Sequence, residues 1–125
     1  MNQAWAKTAP VLIIMAAKKS FSHNGTENYY ALHDTGAALA NLSIQATALG
    51  LHSHGMAGFD RARAQSELGI PEDFEPAAAV ALGYAGSPDQ LEPGRFRDAE
   101  IGKRERKPLS ETAFDGTWGQ PLQLS

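Results

Sequence analysis

Four basic side chains stand close together near the end of the sequence, in the run KRERK at residues 103–107. In an extended segment, Arg104 and Arg106 point the same way and can hold one anion from adjacent sides. Basic runs of this length are more often solvated surface segments than binding sites. The pattern therefore indicates either a site for an anion such as a phosphate or an exposed run of charge.

Two histidines suggest metal chemistry, because His52 and His54 would project from the same side of an extended segment. No carboxylate or third ligand lies near them in the sequence, and loop histidines are usually solvated or bonded to backbone. The chain also lacks the Gly-x-Ser-x-Gly turn of a hydrolase, a P-loop and the Gly-x-Gly-x-x-Gly dinucleotide turn. We therefore expect no metal site and no hydrolase triad.

The composition excludes several classes of protein. The chain has 125 residues, the usual size of a single domain, and a net charge of −3, which gives no general attraction for nucleic acid. It has no cysteine, which excludes disulfides and thiolate chemistry and makes the cytoplasm the default location. Residues 9–17 are too few to span a bilayer, and the uncharged residues 35–59 are interrupted by polar side chains. We expect no membrane segment.

Two strands are predicted from the apolar pattern. The aliphatic residues 11–15 show no alternation, which is typical of a strand covered on both faces. Residues 76–84 are bounded by Pro76 and Gly83 and predict a second strand, although their alanines also suit a helix. From Ser87 onward the chain is rich in Pro, Gly and charge, and no core element is predicted there.

A long helix is predicted to begin between Tyr30 and Asp34 and to end at Leu49, before Gly50. After it, residues 51–59 are predicted to form a loop, and Asp60 is expected to cap a short helix that ends near Leu68. The long helix has an apolar stripe, and its other side holds small or neutral residues without charge. The stripe consists of Leu39, Leu42, Ala46 and Leu49. Such a helix is usually covered all round, so we expect a partner subunit to cover part of it.

Short motifs in a consistent order extend over nearly the whole chain, from Trp5 to about Leu109. Together they resemble the C-terminal half of the nitroreductase family, the flavin mononucleotide (FMN) enzymes that reduce nitro groups, quinones and related acceptors with NAD(P)H. The motifs are Trp5-Ala-Lys-Thr-Ala-Pro10, Asp34-Thr-Gly36, Asn41-Leu42, Ala48-Leu-Gly50-Leu51, Gly58-Phe59-Asp60, Leu68-Gly-Ile-Pro71, Gly83-Tyr84 and Arg104-x-Arg106-x-Pro108-Leu109, with Trp118-Gly119 in the tail.

The resemblance implies an α+β fold with a mixed, partly parallel sheet flanked by helices, and a long central helix at a dimer interface. It implies that the backbone of the loop beside FMN donates hydrogen bonds to the flavin ring, and that Arg104 and Arg106 bind its phosphate. The loop residues are Gly55, Met56, Ala57 and Gly58. Ala57 stands where the family often has an acidic residue, which would alter substrate choice. Since the cofactor carries the chemistry, no catalytic side chain is expected.

The resemblance also predicts a function, and it predicts that the family's N-terminal half is missing from this sequence. We expect an FMN-dependent oxidoreductase that passes hydride from NAD(P)H to a nitro, quinone or similar small-molecule acceptor. The family's N-terminal half, with an Arg-Ser-x-Arg-like phosphate grip, has no counterpart before Met1. We therefore expect residues 1–108 to be the C-terminal half of such a domain and to bind FMN weakly or not at all alone. The alternative is a non-catalytic remnant or binding subunit that has lost the flavin.

This interpretation allows two kinds of partner chain. One is a second copy of the chain in a homodimer, and the other is a chain that supplies the missing N-terminal half. Residues 109–125 are expected to form an extended arm across the partner, because Pro108, Pro121 and spaced apolar anchors favour docking. The anchors are Leu109, Phe114, Trp118 and Leu122. A frayed tail is equally consistent with the sequence.

Overall fold

The computed structural model describes residues 2–123, which form four α-helices and one three-stranded sheet. In chain order the elements are α1 (Gln3–Ala6), β1 (Val11–Lys18), α2 (Ala31–Ala48), β2 (His52–Met56), α3 (Arg61–Glu67), β3 (Phe74–Gly83) and α4 (Arg95–Ile101), with 3-10 turns at Pro88–Gln90 and Leu109–Glu111. The chain divides into two compact units, Met1–Gly86 and Ser87–Ser125. The expected α+β class is confirmed.

The sheet belongs to the first unit and has the order β1-β3-β2. β3 pairs antiparallel with both neighbours, with Val11 opposite Leu82 in β1 and His52 opposite Gly83 in β2. The expectation of a partly parallel sheet is therefore wrong for the described residues. β1 and β2 do run in the same direction, but β3 inserts between them, so both hydrogen-bonded pairings are antiparallel.

The central strand supplies much of the core. Val80 is fully buried, and Ala79 and Ala81 are almost so, because helices pack over the faces of this central strand. α2 packs on one face of the sheet, where the Ser53 hydroxyl donates to Oγ of Ser43 at 2.9 Å. Trp5 of α1 packs with Met56 against the β3 alanines. These contacts place the end of β2 between the two helices.

β1 is an edge strand, and the exposure of its first two residues, which project to opposite faces, corrects the prediction that it is covered on both faces. Val11 and Leu12 are 45% and 55% exposed. Its pairing with β3 is shifted between Met15 and Ala16, opposite Pro76. A proline has no N–H to donate to the ladder, and a bulge accommodates it. A run of aliphatic residues without alternation does not show whether a strand lies in the centre of a sheet or at its edge.

α2 ends as the sequence predicts. Gly50 has a φ of +73°, its N–H donates to Thr47 O, and the Leu51 N–H donates to Ala46 O at 2.8 Å. These two bonds satisfy carbonyls at the end of the helix, and the left-handed conformation favours glycine at this position. The predicted cap of the next helix is also confirmed, since Oδ1 of Asp60 accepts from the Arg63 N–H at 2.9 Å.

The second unit contains a helix that the sequence did not predict. α4 follows Gly94, and Arg97 in it forms an ion pair with Asp89. Residues 113–122 do not extend, as an arm was expected to. They turn back, with Phe114 bridged to Pro121 and the Phe114 ring 4.9 Å from that of Trp118. In the described part of the chain no helix is long and apolar enough to cross a membrane.

Candidate functional site

The segment predicted as a loop over residues 51–59 begins with a strand, so that prediction is wrong for β2. His52–Met56 has no alternating apolar pattern, and its glycine disfavours a strand. The strand forms because β3 presents an unpaired edge, and the ladder continues until Met56 lies opposite Ala79. β2 therefore forms through its pairing with β3, and the loop leaves the sheet where this pairing ends.

Beyond Met56 the backbone presents two unpaired donors. Ala57 and Gly58 are exposed, and within residues 2–123 neither N–H has a hydrogen-bond acceptor. The Phe59 N–H, by contrast, donates to Ala57 O at 3.1 Å. Two successive free N–H groups on a surface loop can both donate to one polar ligand. Other exposed loops of this unit, at residues 22–24 and 85–86, also have N–H groups without an acceptor among the described residues, so the 57–58 pair is singled out by the family resemblance as well as by its free donors.

The other two predicted loop residues play different parts. Gly55 lies within β2, and a Cβ there would come within 3.1 Å of Leu39 in α2, so the helix packs directly on the backbone. Met56 is 7% exposed and belongs to the core. Its side chain therefore contacts the interior, and only its backbone can face a ligand.

Sequence reasoning missed the residues that flank this loop. The Trp5 ring meets the His54 ring edge-on, with centroids 4.8 Å apart, and Nδ2 of Asn2 donates to Gly58 O at 3.2 Å. The pairs lie about 50 residues apart or more, and nothing in their types predicts a contact. His52 and His54 are exposed on β2, and no cluster of three metal-binding side chains occurs among the residues that the structure describes.

Arg104 and Arg106 lie in the second unit, between α4 and the turn at Leu109–Glu111, and both are exposed. Nη1 of Arg106 donates to the Glu105 carbonyl at 3.0 Å. Neither guanidinium has a carboxylate partner among residues 2–123. Both arginines are therefore available to an anion; they belong to the second unit, and the 57–58 loop belongs to the first.

The 57–58 loop can accommodate a flat ring ligand. Its free donors are uncharged, its residues are small, and no acid, base or nucleophile lies within it. A flat ring with polar acceptor atoms can approach such a backbone closely, because no side chain projects from Gly58. The donor set thus suits a flavin ring, whose nitrogen and carbonyl acceptors need N–H partners.

Comparison with known proteins identifies the family. The Nitroreductase family model matches residues 1–84. Over 121 residues the chain is 37% identical to the "uncharacterized 15.4 kDa protein in ask 5′ region" of Mycolicibacterium smegmatis, covering 97% of this chain and 80% of that protein. The chain belongs to the nitroreductase family.

Solved structures agree with this assignment. An oxidoreductase containing FMN is 34% identical and superimposes with a TM-score of 0.86 over 95% of this chain. A nitroreductase family protein from Clostridium difficile 630 is 25% identical, with a TM-score of 0.64 over 88% of this chain. In both cases the present chain spans only 61% of the length of the solved chain.

Proposed function

We propose that this chain is part of an FMN-dependent oxidoreductase that takes hydride from NAD(P)H and passes it to a nitro, quinone or similar small acceptor. The observation that carries the proposal is the pair of free N–H donors at Ala57 and Gly58. The family assignment and the FMN-containing relative support it. The residues of the 57–58 loop offer no competing chemistry, such as a nucleophile or a charged pair.

In this proposal the chain binds and orients the flavin. When bound, FMN supplies the hydride-accepting and hydride-donating chemistry. The Ala57 and Gly58 N–H groups donate to acceptor atoms of the ring and polarise it without carrying a proton themselves. Arg104 and Arg106 bind the phosphate by charge-assisted hydrogen bonds, which are about twice as strong as neutral ones.

The proposed assembly includes a second subunit. The outer stripe of α2 is exposed and uncharged, and Ile44 at its centre is 70% exposed. The stripe consists of Ala37, Asn41, Ile44 and Ala48. A homodimer through this stripe would remove an isoleucine from water. A segment like the N-terminal half of longer family members, from a partner chain or a fusion, would complete the flavin pocket.

The test compares flavin binding by the chain alone and by a fusion to the N-terminal part of the 34% identical FMN oxidoreductase. We expect the chain alone to bind FMN weakly. The folded fusion should be yellow, lose its flavin absorbance with NADH or NADPH, and regain it with a quinone. If the fusion has native circular dichroism but stays colourless in excess FMN, the proposal is wrong and a non-catalytic remnant is favoured.

A further inference from the structure

The N-terminal helix contacts the loop that carries the free donors from two directions. Before the loop, the Trp5 ring packs edge-on against His54, and Ala6 shares the core with Met56. After the loop's first turn, Nδ2 of Asn2 donates to Gly58 O. The N-terminal segment therefore contacts both ends of residues 54–58, from His54 within β2 to Gly58 beyond the end of the sheet.

Within residues 2–123, Gly58 itself forms one hydrogen bond, the bond from Asn2. Its N–H is free, and within residues 2–123 its carbonyl accepts only from Asn2. The approach is close because Gly58 has no side chain, and a Cβ there would lie 3.2 Å from Nδ2. Loss of the amide donor would leave Gly58 without a hydrogen bond in the described chain.

We propose that Asn2 is a positioning residue for the Ala57 and Gly58 N–H donors. The Gly58 carbonyl belongs to the peptide group that follows the two free N–H groups, so the Asn2 bond restricts them indirectly, by holding the C-terminal end of their segment. A donor held in place does not lose conformational freedom again when a ligand binds. This inference deepens the proposed function and rests on it only where FMN is the ligand, since the ordering of the loop can be measured without flavin.

The first experiment uses the full chain without flavin. Backbone ¹⁵N relaxation gives order parameters for Ala57 and Gly58 in the wild type, Asn2→Ala, Asn2→Asp and Gln3→Ala. We expect values near 0.85, typical of rigid backbone, in the wild type and in Gln3→Ala, and values below about 0.6 in both Asn2 variants. Asn2→Asp keeps the size of the side chain but removes its donor, so it separates hydrogen bonding from packing.

A control position shows whether a change is local. The Thr26 N–H is held by Asn24 in a separate turn of the first unit, and its order parameter should be the same in all four proteins. If the Ala57 and Gly58 values do not change in Asn2→Ala, or fall equally in Gln3→Ala or at Thr26, Asn2 does not position the loop.

The second experiment measures the FMN affinity of the wild type and the same three variants. It uses the chain alone or its fusion to the N-terminal part of the FMN oxidoreductase, whichever binds FMN. We expect Asn2→Ala and Asn2→Asp to weaken binding by about five- to ten-fold, and Gln3→Ala by less than two-fold. If the loop loses order but FMN affinity does not change, the positioning role for flavin is wrong. If no form binds FMN, the proposed function fails, while the relaxation data still decide whether Asn2 orders the loop.

Discussion

In the proposed site, the first unit contributes peptide groups to the chemistry, and we expect the side chains around these groups to hold them in place. Ala57 and Gly58 have no reactive side chain, and their free N–H groups lie just beyond Met56, where the β2 ladder ends. The resemblance to a family pointed to this loop, and its role in binding FMN stays a prediction. It could not show that Asn2 contacts Gly58, because that contact joins distant parts of the chain.

The arginines allow a test of the proposed phosphate site. In the flavin-binding form, Arg104→Ala and Arg106→Ala should each weaken FMN affinity about ten-fold or more, because each removes a charge-assisted contact. Lys107→Ala is the matched control from the same basic run and should have little effect. Fluorescence titration of FMN measures all three. Equal small effects would show that residues 103–107 are an exposed charge run.

Substitution by alanine should have opposite effects on stability at two glycines, Gly83 and Gly36. A Cβ at Gly83 would lie 2.7 Å from Cδ of Pro10, whose ring cannot rotate away, whereas a Cβ at Gly36 in α2 meets nothing within 4 Å. Gly83→Ala should lower the free energy of unfolding by about 1–3 kcal/mol. Gly36→Ala should raise it by roughly 0.5–1 kcal/mol, since alanine favours a helix. Urea denaturation checks both. A Gly83→Ala protein as stable as the wild type would contradict the packing at Pro10, and a destabilised Gly36→Ala protein would contradict the open space at Gly36.

At the scale of elements, α2 has two distinct faces. Ala46 is 4% exposed, whereas Ala40 and Ile44 are exposed on the side away from the sheet. Leu39 and Leu42 of the predicted apolar stripe are half-buried, but Leu49 at its end is 63% exposed. The lack of charged residues on α2 predicted that other parts of the protein cover the helix. It did not show which of its alanines pack against the sheet of the same chain.

This difference defines a test of the proposed dimer. Ile44→Arg places a charge on the outer stripe, and Ala40→Arg places one on another exposed position of α2. Both should dissociate a dimer while leaving each monomer folded, since an unpaired charge in a dry contact costs several kcal/mol. Ala46→Arg places the charge against the sheet and should unfold the chain. Analytical ultracentrifugation with circular dichroism distinguishes the outcomes. A wild type that is monomeric, or an Ile44→Arg protein that stays dimeric, would contradict the interface.

Elements whose own residues carry the signal were predicted well. The long helix, its end at Gly50 and the cap at Asp60 follow from local sequence, and all are confirmed. β2 was missed because its pairing depends on the free edge of β3. α4 was missed because flanking glycines and Pro93 suggested a loop, although residues 95–101 favour a helix once Gly94 begins it.

At the scale of the whole chain, the C-terminal tail has a structure of its own. Residues 113–122 form a compact turn with Leu122 N–H bonded to Ala113 O at 3.0 Å, and Trp118 at the turn is 89% exposed. An exposed tryptophan on a rigid turn presents much apolar area at small entropic cost. This turn is the part of the tail best suited to contact a partner.

We therefore expect the tail to contribute to assembly. Removal of residues 109–125, and separately Trp118→Ala, should shift any monomer–dimer equilibrium towards monomer, by about ten-fold or more for the deletion because several anchors are lost. Limited proteolysis followed by sedimentation gives an independent readout. Rapid loss of the tail with assembly unchanged would identify it as a frayed terminus.

The position of β3 between β1 and β2 has a consequence for synthesis of the protein in the cell. Val11 finds its partner Leu82 only about 70 residues later, an interval that takes the ribosome roughly 4–14 s at ordinary elongation rates. Until then the aliphatic start of β1 is a strand without a neighbour, open to pairing with other nascent chains. Lys18 and Lys19 at its end discourage such pairing by repulsion. The yield of folded protein should therefore depend on how long chaperones shield this strand.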